Sequence, residues 1–296
     1  MNDLALIQEK GAPPGSARYY SLLALAPERR EPLTALYALQ ESLHEVLESV
    51  HEERVAHAKL GWWRQEIARL FEATPQHPAT RTLANHDAQR RLPREELQSL
   101  VDGAELALHY DVYPGFRALS TLLHHSGSTP ALLSARLLGY QDPRSSAYAH
   151  HLGTALALLR RLLRVREDSR QGRFFLPEDE LQRFDLDPRT LNQAEDSEAS
   201  RALFAFQAGR IRDLLGQAEA ELARADRYPL YPLLIRQRLA SALLDELAAA
   251  RFPLLSRRIH LTPLRKFWLA WRTLARERRY HRRLREPESA GDFHEL

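Results

Sequence analysis

Residues 153–177, GTALALLRRLLRVREDSRQGRFFLP, constrain the fold more than any other stretch. Leu156, Leu159, Leu163 and Val165 recur at roughly helical spacing, which gives the segment one apolar face. Its end, EDSRQGRFFLP, passes from charge to a glycine-containing turn, an aromatic pair and Pro177. A helix with one greasy stripe must bury it against other helices, and the chain supplies them. Leu33, Leu36, Leu39, Leu43, Val46 and Leu47 form a second stripe, on a helix expected to start around Pro32. A shorter helix capped by Ser16 is expected to end near Pro27, and another follows Pro93. Long helices are expected over 200–225, 232–252 and 262–285, with a loop at Asp179–Asp187. No strand alternation, glycine-rich phosphate loop or solenoid repeat is visible, so the expected class is an all-α single-domain helical bundle.

Composition narrows the function. With no cysteine, disulfides, iron–sulfur clusters and thiolate zinc sites are excluded. A net charge of +3 gives no argument for nucleic acid, and 39 of the 42 basic residues are arginine, as a GC-rich genome would give. No apolar run approaches the length of about 18 residues that a membrane span needs. The start, MNDLALIQEKGAPPGSARYY, has neither the basic opening nor the apolar core of a signal peptide. A cytoplasmic protein is expected.

Several blocks together resemble the squalene/phytoene synthase family. The central stretch is similar to the family's second aspartate-rich helix, Q-x-x-N-x-x-x-D-x-x-x-D followed by G-R-x-Y-L-P, through Asp168, Gly172, Arg173, Phe175, Leu176 and Pro177. Ser16, Tyr19, Ala35, Leu36, Tyr37 and Ala38 match the family opening. Trp62, Trp63, Arg64, Glu66, Pro75, His77 and Pro78 match L-x-W-W-R-x-E-L and P-x-H-P. In this block Arg64 and Glu66 read as surface or interhelical partners. Gly127 survives from the family's Y-C-x-x-V-A-G-x-V-G helix, while Thr121 and Pro130 replace its tyrosine and last glycine. The resemblance covers residues 16–275 and implies a terpenoid synthase-like bundle. It leaves residues 1–15 as a flexible leader and 276–296 as a basic, then disordered, tail.

The resemblance also implies a chemistry. Head-to-head prenyl synthases ionise an allylic diphosphate with Mg²⁺ held between two Asp-x-x-x-Asp motifs, whose i and i+4 carboxylates share one helical face. Here the chemistry-bearing positions are replaced. Glu41 stands for the family arginine, and His44, Glu45 and Glu48 for its first aspartates. Ala157, Arg160 and Arg164 stand for glutamine, asparagine and the next aspartate, with only Asp168 kept. Histidine is a poor Mg²⁺ ligand and a guanidinium repels the ion. Arg160 and Arg164 are therefore expected to pair with Glu41, Glu45 or Glu48 across the old cavity. Two readings stay open. In the first, the chain is a non-catalytic binding or assembly protein for a prenyl or anionic lipid or a membrane-complex partner, with no cofactor. It is similar in ARLLGYQDP, FFLPEDEL and LTPLRKFWLAW to the family branch of mitochondrial complex I assembly factors. In the second, it is a prenyltransferase on farnesyl or geranylgeranyl diphosphate with a rebuilt Mg²⁺ site. Glu48 and Asp168 would then be the minimum ligands, and Tyr19, Glu41, Arg160 and Arg164 would hold diphosphate.

Other constellations are weak. His124–His125 and His150–His151 are adjacent pairs that do not converge along one helix, and His51 and His57 are off one face. Residues 265–285 are different. They carry nine Lys/Arg against Glu277 alone, with Phe267, Trp268 and Trp271 near the start. Such a helix can lie on an anionic membrane, here the inner face of the cytoplasmic membrane, unless its tryptophans pack into the domain.

Overall fold

The computed structural model describes residues 3–49, 52–192 and 195–285. Helix α1 (Asp3–Gly11) leads into α2 (Ala17–Leu22) and the long α3 (Pro27–Ser49). Ser16 caps α2 as its sequence position implies, accepting from the Tyr19 N–H at 3.0 Å. α4 (Glu53–Phe71), α5 (Pro78–Asn85) and α6 (Arg94–His109) pack on one side of α3. α7 (Phe116–Leu123) continues through a π turn at His124–Ser128 into α8 (Thr129–Leu138). The central α9 (Arg144–Leu163) breaks at Arg164 and resumes as α10 (Val165–Arg170). α11 (Glu178–Arg183), α12 (Glu198–Glu221), α13 (Tyr231–Ala249) and α14 (Pro263–Arg285) complete the bundle.

The core follows the apolar stripes. Leu33, Leu36, Leu39 and Leu43 of α3 are buried, as are Leu152, Leu158, Leu159 and Leu162 of α9. Two devices fix α9 in place. At its start the Asp226 carboxylate accepts from Gln141 N at 2.8 Å, Asp142 N at 2.9 Å and Ser145 Oγ at 2.6 Å. In its middle Gly153 meets Gly127 of the π turn so closely that a Cβ on either would run into the other's carbonyl oxygen. Only glycine allows that approach. Ser128 Oγ and Thr154 Oγ1 close the same contact at 2.7 Å.

Several sequence expectations need correction. Residues 3–11 are not a flexible leader: α1 buries Ile7 and lies against α3 and α5. Its Gly11 leaves no room for a side chain beside the Thr34 backbone. Helix α3 begins at Pro27, not Pro32. Pro32 costs it one hydrogen bond near the start but has a helix-compatible φ. The loop expected at Asp179–Asp187 contains α11, whose first turn carries Glu178, Asp179 and Glu180 where carboxylates favour the helix dipole. A short parallel pair also forms, β1 (Val112–Tyr113) with β2 (Phe174–Pro177), too brief to show alternation in sequence. No boundary falls at residue 275, since α14 runs unbroken to Arg285 and buries Glu277 against Arg227, with oxygens 2.9 and 3.0 Å from the guanidinium. Residues 286–296, expected to be disordered, lie outside the described residues.

Candidate functional site

A cavity of about 1030 Å³ opens between α1, α2, α3, α9, α13 and residues 259–266. Its apolar wall comes from the sequence stripe of α9, Leu156, Leu159 and Leu163, facing Leu239 and Leu243 of α13. One end is charged. Seven cationic side chains line the cavity, against the carboxylates of Glu9, Glu41 and Glu45. Arg160 and Arg161 lie in the last turn of α9, at the negative end of its dipole, where cations are favoured.

Glu41 on α3 is the centre of this end. Arg160 grips it with two parallel bonds, Nη2 to Oε1 at 2.8 Å and Nη1 to Oε2 at 3.0 Å, the strongest geometry for this pair. Arg18 from α2 adds Nη1 to Oε2 at 3.2 Å and reaches Gln40 Oε1 at 2.6 Å. Gln40 in turn donates to the Ser126 carbonyl at 2.8 Å, tying the charged end to the π turn. Burial alone would raise the Glu41 carboxyl. The guanidiniums of Arg160 and Arg18 outweigh it and hold the group well below the usual range. His44 is buried beside Arg160, and both effects push its pKa down to about 3, so it is neutral. Its Nδ1 stands 3.7 Å from Glu41 Oε2, too far for a hydrogen bond. Burial and neighbouring cations also lower Arg18 to about 10, which leaves it charged.

The break after α9 holds a second cluster. Buried Asp168 lies 3.5 Å from Arg164 Nε and 3.6 Å from Arg161 Nη1. The Arg161 guanidinium also sits 3.6 Å above the ring of Phe175, a cation–π contact that gives the aromatic tail of the central stretch its purpose. Arg173 closes the end of α3 by donating to the Leu47 carbonyl at 2.6 Å.

The squalene/phytoene synthase family model matches residues 13–265. This chain belongs to the squalene/phytoene synthase family. Among its relatives it is 26% identical over 258 residues to phytoene synthase 1 of Arabidopsis thaliana, with 84% of this chain covered. It spans about 60% of the length of that relative. It is 25% identical over 265 residues to 15-cis-phytoene synthase of Synechococcus elongatus, with 84% of each chain covered. A dehydrosqualene synthase solved with a ligand superposes with a TM-score of 0.79 at 17% identity, covering 94% of this chain and 97% of the other. Squalene synthase from Alicyclobacillus acidocaldarius superposes at 0.71, also at 17% identity, over 84% and 94% of the two chains. These superpositions establish the terpenoid synthase-like fold.

The family's metal-binding positions can now be tested against their surroundings. Mg²⁺ needs several hard oxygens free to face one point. Glu41 is held by Arg160 and Arg18, Glu45 by Lys10 at 2.7 Å, and Asp168 lies beside Arg161 and Arg164. His44 is a buried neutral ring. The Glu48 side chain lies outside the described residues. Among the described residues no three His, Asp or Glu side chains converge as a metal site would require. The donors described do not fit a magnesium cluster; they fit guanidinium.

Of the expected site residues, Glu41, His44, Glu45, Arg160 and Arg164 line the cavity, with Asp168 just behind Arg161 and Arg164. Tyr19 does not line it: it is half-buried against Tyr20, ring centroids 5.4 Å apart, and its neighbour Arg18 points in instead. The expected bridge from α9 to α3 is present in Arg160–Glu41. Arg161, Arg236, Lys10 and Lys266 were not anticipated. Arg161 could have been found, because burial of one guanidinium in an RR pair on an apolar stripe demands a carboxylate and an aromatic nearby. Lys266 could not, since it reaches the cavity from the far end of the sequence and donates to the Gly15 carbonyl at 2.8 Å. The two histidine pairs meet only edge to edge: the rings of His124 and His150 lie 5.7 Å apart and tilted by 45°, and among the described residues they form no metal-binding group.

Proposed function

We propose that this chain binds a prenyl or related amphipathic anion without metal and does not carry out metal-dependent prenyl transfer. The observation that carries the reading is the bidentate Arg160–Glu41 pair with Arg18, set beside Arg161 and Arg164 at the head of an apolar cavity. An isoprenoid tail suits the leucine wall, and a phosphate suits the surplus guanidinium charge. The same side chains that replace magnesium as counter-charge cannot replace it as a catalyst. A guanidinium neutralises a bound diphosphate, but it offers no open coordination position to draw charge from the departing oxygen. Non-catalytic binding also suits the complex-assembly branch that the sequence resembles, with a membrane-complex protein as the second partner.

The relatives named as phytoene synthases, together with the open cavity, favour a second reading: an active head-to-head prenyltransferase with an altered site. One assay separates the two. Purified protein is incubated with farnesyl and geranylgeranyl diphosphate in Mg²⁺ and Mn²⁺, and released diphosphate is measured. The expected result is none above the protein-free control. Release that depends on metal and disappears in Asp168→Ala would establish the enzyme.

A further inference from the structure

Helix α14 carries an unusual outer face. Leu264, Phe267, Trp268 and Trp271 follow the i, i+3, i+4, i+7 spacing of one helical face, and that face points away from the bundle. Their exposures are 77, 52, 47 and 59%. The inward face is Ala270, Thr273, Leu274 and Glu277, all buried. Four large apolar residues side by side in water are costly unless something covers them. Farther along the same outer face come Arg272, Arg279 and Arg282, flanked by Arg276, Arg278 and Arg283. Arg272 stacks on Trp268 with its guanidinium 5.0 Å from the ring. Among the described residues no carboxylate lies within ion-pair distance of Arg272, Arg278, Arg279, Arg282 or Arg283.

We propose that this face of α14 docks the protein on an anionic lipid bilayer, with the aromatic turns inserted at the interface and the arginine turns on the headgroups. The charge decides the occupant. A protein partner would need only the aromatic patch, whereas the patch continues into a row of unneutralised arginines on the same side, which a surface of negative headgroups complements. Among the described residues no helix is long and apolar enough to cross a membrane, so α14 lies on the bilayer. The position has a consequence for the cavity. Lys266, next to Phe267 in the first turns of α14, lines it, as do Ile259, His260 and Leu261 just before the helix. Docking therefore sets the cavity beside the lipid. That consequence rests on the anion-binding reading; the docking itself does not.

The test uses the full chain and vesicles of phosphatidylcholine with or without phosphatidylglycerol. Two double variants probe the two halves, Trp268→Ser with Trp271→Ser, and Arg279→Glu with Arg282→Glu. All four side chains are exposed, so both variants should melt with the parent. Co-sedimentation with the anionic vesicles is expected at low salt, weak binding to phosphatidylcholine alone, and a loss of at least about tenfold in each variant. Tryptophan emission should shift blue on binding in the parent and much less in the tryptophan variant. No sedimentation with anionic vesicles would overturn the proposal, as would binding that neither variant changes. It would equally fail if the parent were a dimer that the tryptophan variant splits while lipid binding stays the same, because a second copy would then be the occupant.

Discussion

Two matched blocks of the family pattern behave in opposite ways. In the WWRQE and PQHP block the residues are kept and so is their work. Fully buried Glu66 on α4 accepts from the backbone N–H groups of Gln76 and His77, both at 2.8 Å, and pairs with Arg69, also at 2.8 Å. The Thr80 hydroxyl donates to the same carboxylate. One side chain thus pins the turn that starts α5. Burial would raise this carboxyl, but those hydrogen bonds keep it lowered. In the aspartate blocks the helices are kept and the residues are exchanged: Arg160 and Glu41 now hold each other where the family pattern implies asparagine and arginine. The difference teaches that the backbone frame and the ligand set are separate demands. A bundle tolerates the exchange because a guanidinium–carboxylate pair satisfies the cavity's buried charge as well as a cation between acids would.

The largest expected effect comes from the block whose residues are kept. Glu66→Ala leaves two backbone donors, a hydroxyl and an arginine unsatisfied in the interior, and should cost about 3–5 kcal/mol in urea unfolding. A cost below about 1 kcal/mol would mean that the turn before α5 does not depend on it.

On the exchanged side, Glu41→Gln removes the acid between Arg18 and Arg160. It should destabilise by about 2–4 kcal/mol and at the same time tighten binding of inorganic pyrophosphate, because two guanidiniums lose their partner. The sign with pH follows. The folded carboxyl is lowered, so its stabilisation is complete above the unfolded value of about 4.3 and is lost as pH falls below it. The variant should therefore show a shallower acid limb than the parent. Arg164→Asp places a second carboxylate against buried Asp168, and because Arg164 is half-exposed the cost should be smaller, about 1–3 kcal/mol in the same melt. An unchanged melting curve would show that Arg164 is not needed to balance Asp168.

His44 sharpens the comparison further. Its folded pKa of about 3 lies below the unfolded value near 6.5, so the neutral ring favours the fold above that value. Stability from this group is lost as pH falls from about 6.5 toward 3, at up to about 1.4 kcal/mol per pH unit. His44→Gln should flatten that slope between about pH 6 and pH 5, read by chemical unfolding at each pH. The smallest effect belongs to Arg64, which bridges Asp102 and Glu105 at 2.6 Å on a largely solvated face. Arg64→Ala should change stability by less than about 1 kcal/mol, and by less still in high salt.

Much of this was legible in the sequence. The stripes of α3, α9, α12, α13 and α14 gave the bundle, because buried helical faces leave a periodic trace. Ser16 and Pro93 marked helix starts for the same reason of local chemistry. The exchanged site was half legible. Arg160 opposite Glu41 follows from placing two helices across one cavity, but the entry of Arg18, Arg236 and Lys266 depends on long-range packing that no local pattern records. α1 was missed because it is short and the glycine that ends it, with Pro13, Pro14 and Gly15 just beyond, reads as loop, whereas Gly11 is there for close contact with α3. The exposure of Trp268 and Trp271 was likewise undecidable from spacing alone, since an aromatic face at helical period serves a core or a surface equally well.

Guanidinium in place of metal predicts ligand binding that needs no divalent ion. This is tested most directly by titrating farnesyl diphosphate into the protein by calorimetry, once with EDTA and once with Mg²⁺. Equal affinity in the two buffers, with binding lost in an Arg160→Asn and Arg164→Asp double variant, is the expected result. Binding that appears only with Mg²⁺, or that survives the double variant unchanged, would contradict it.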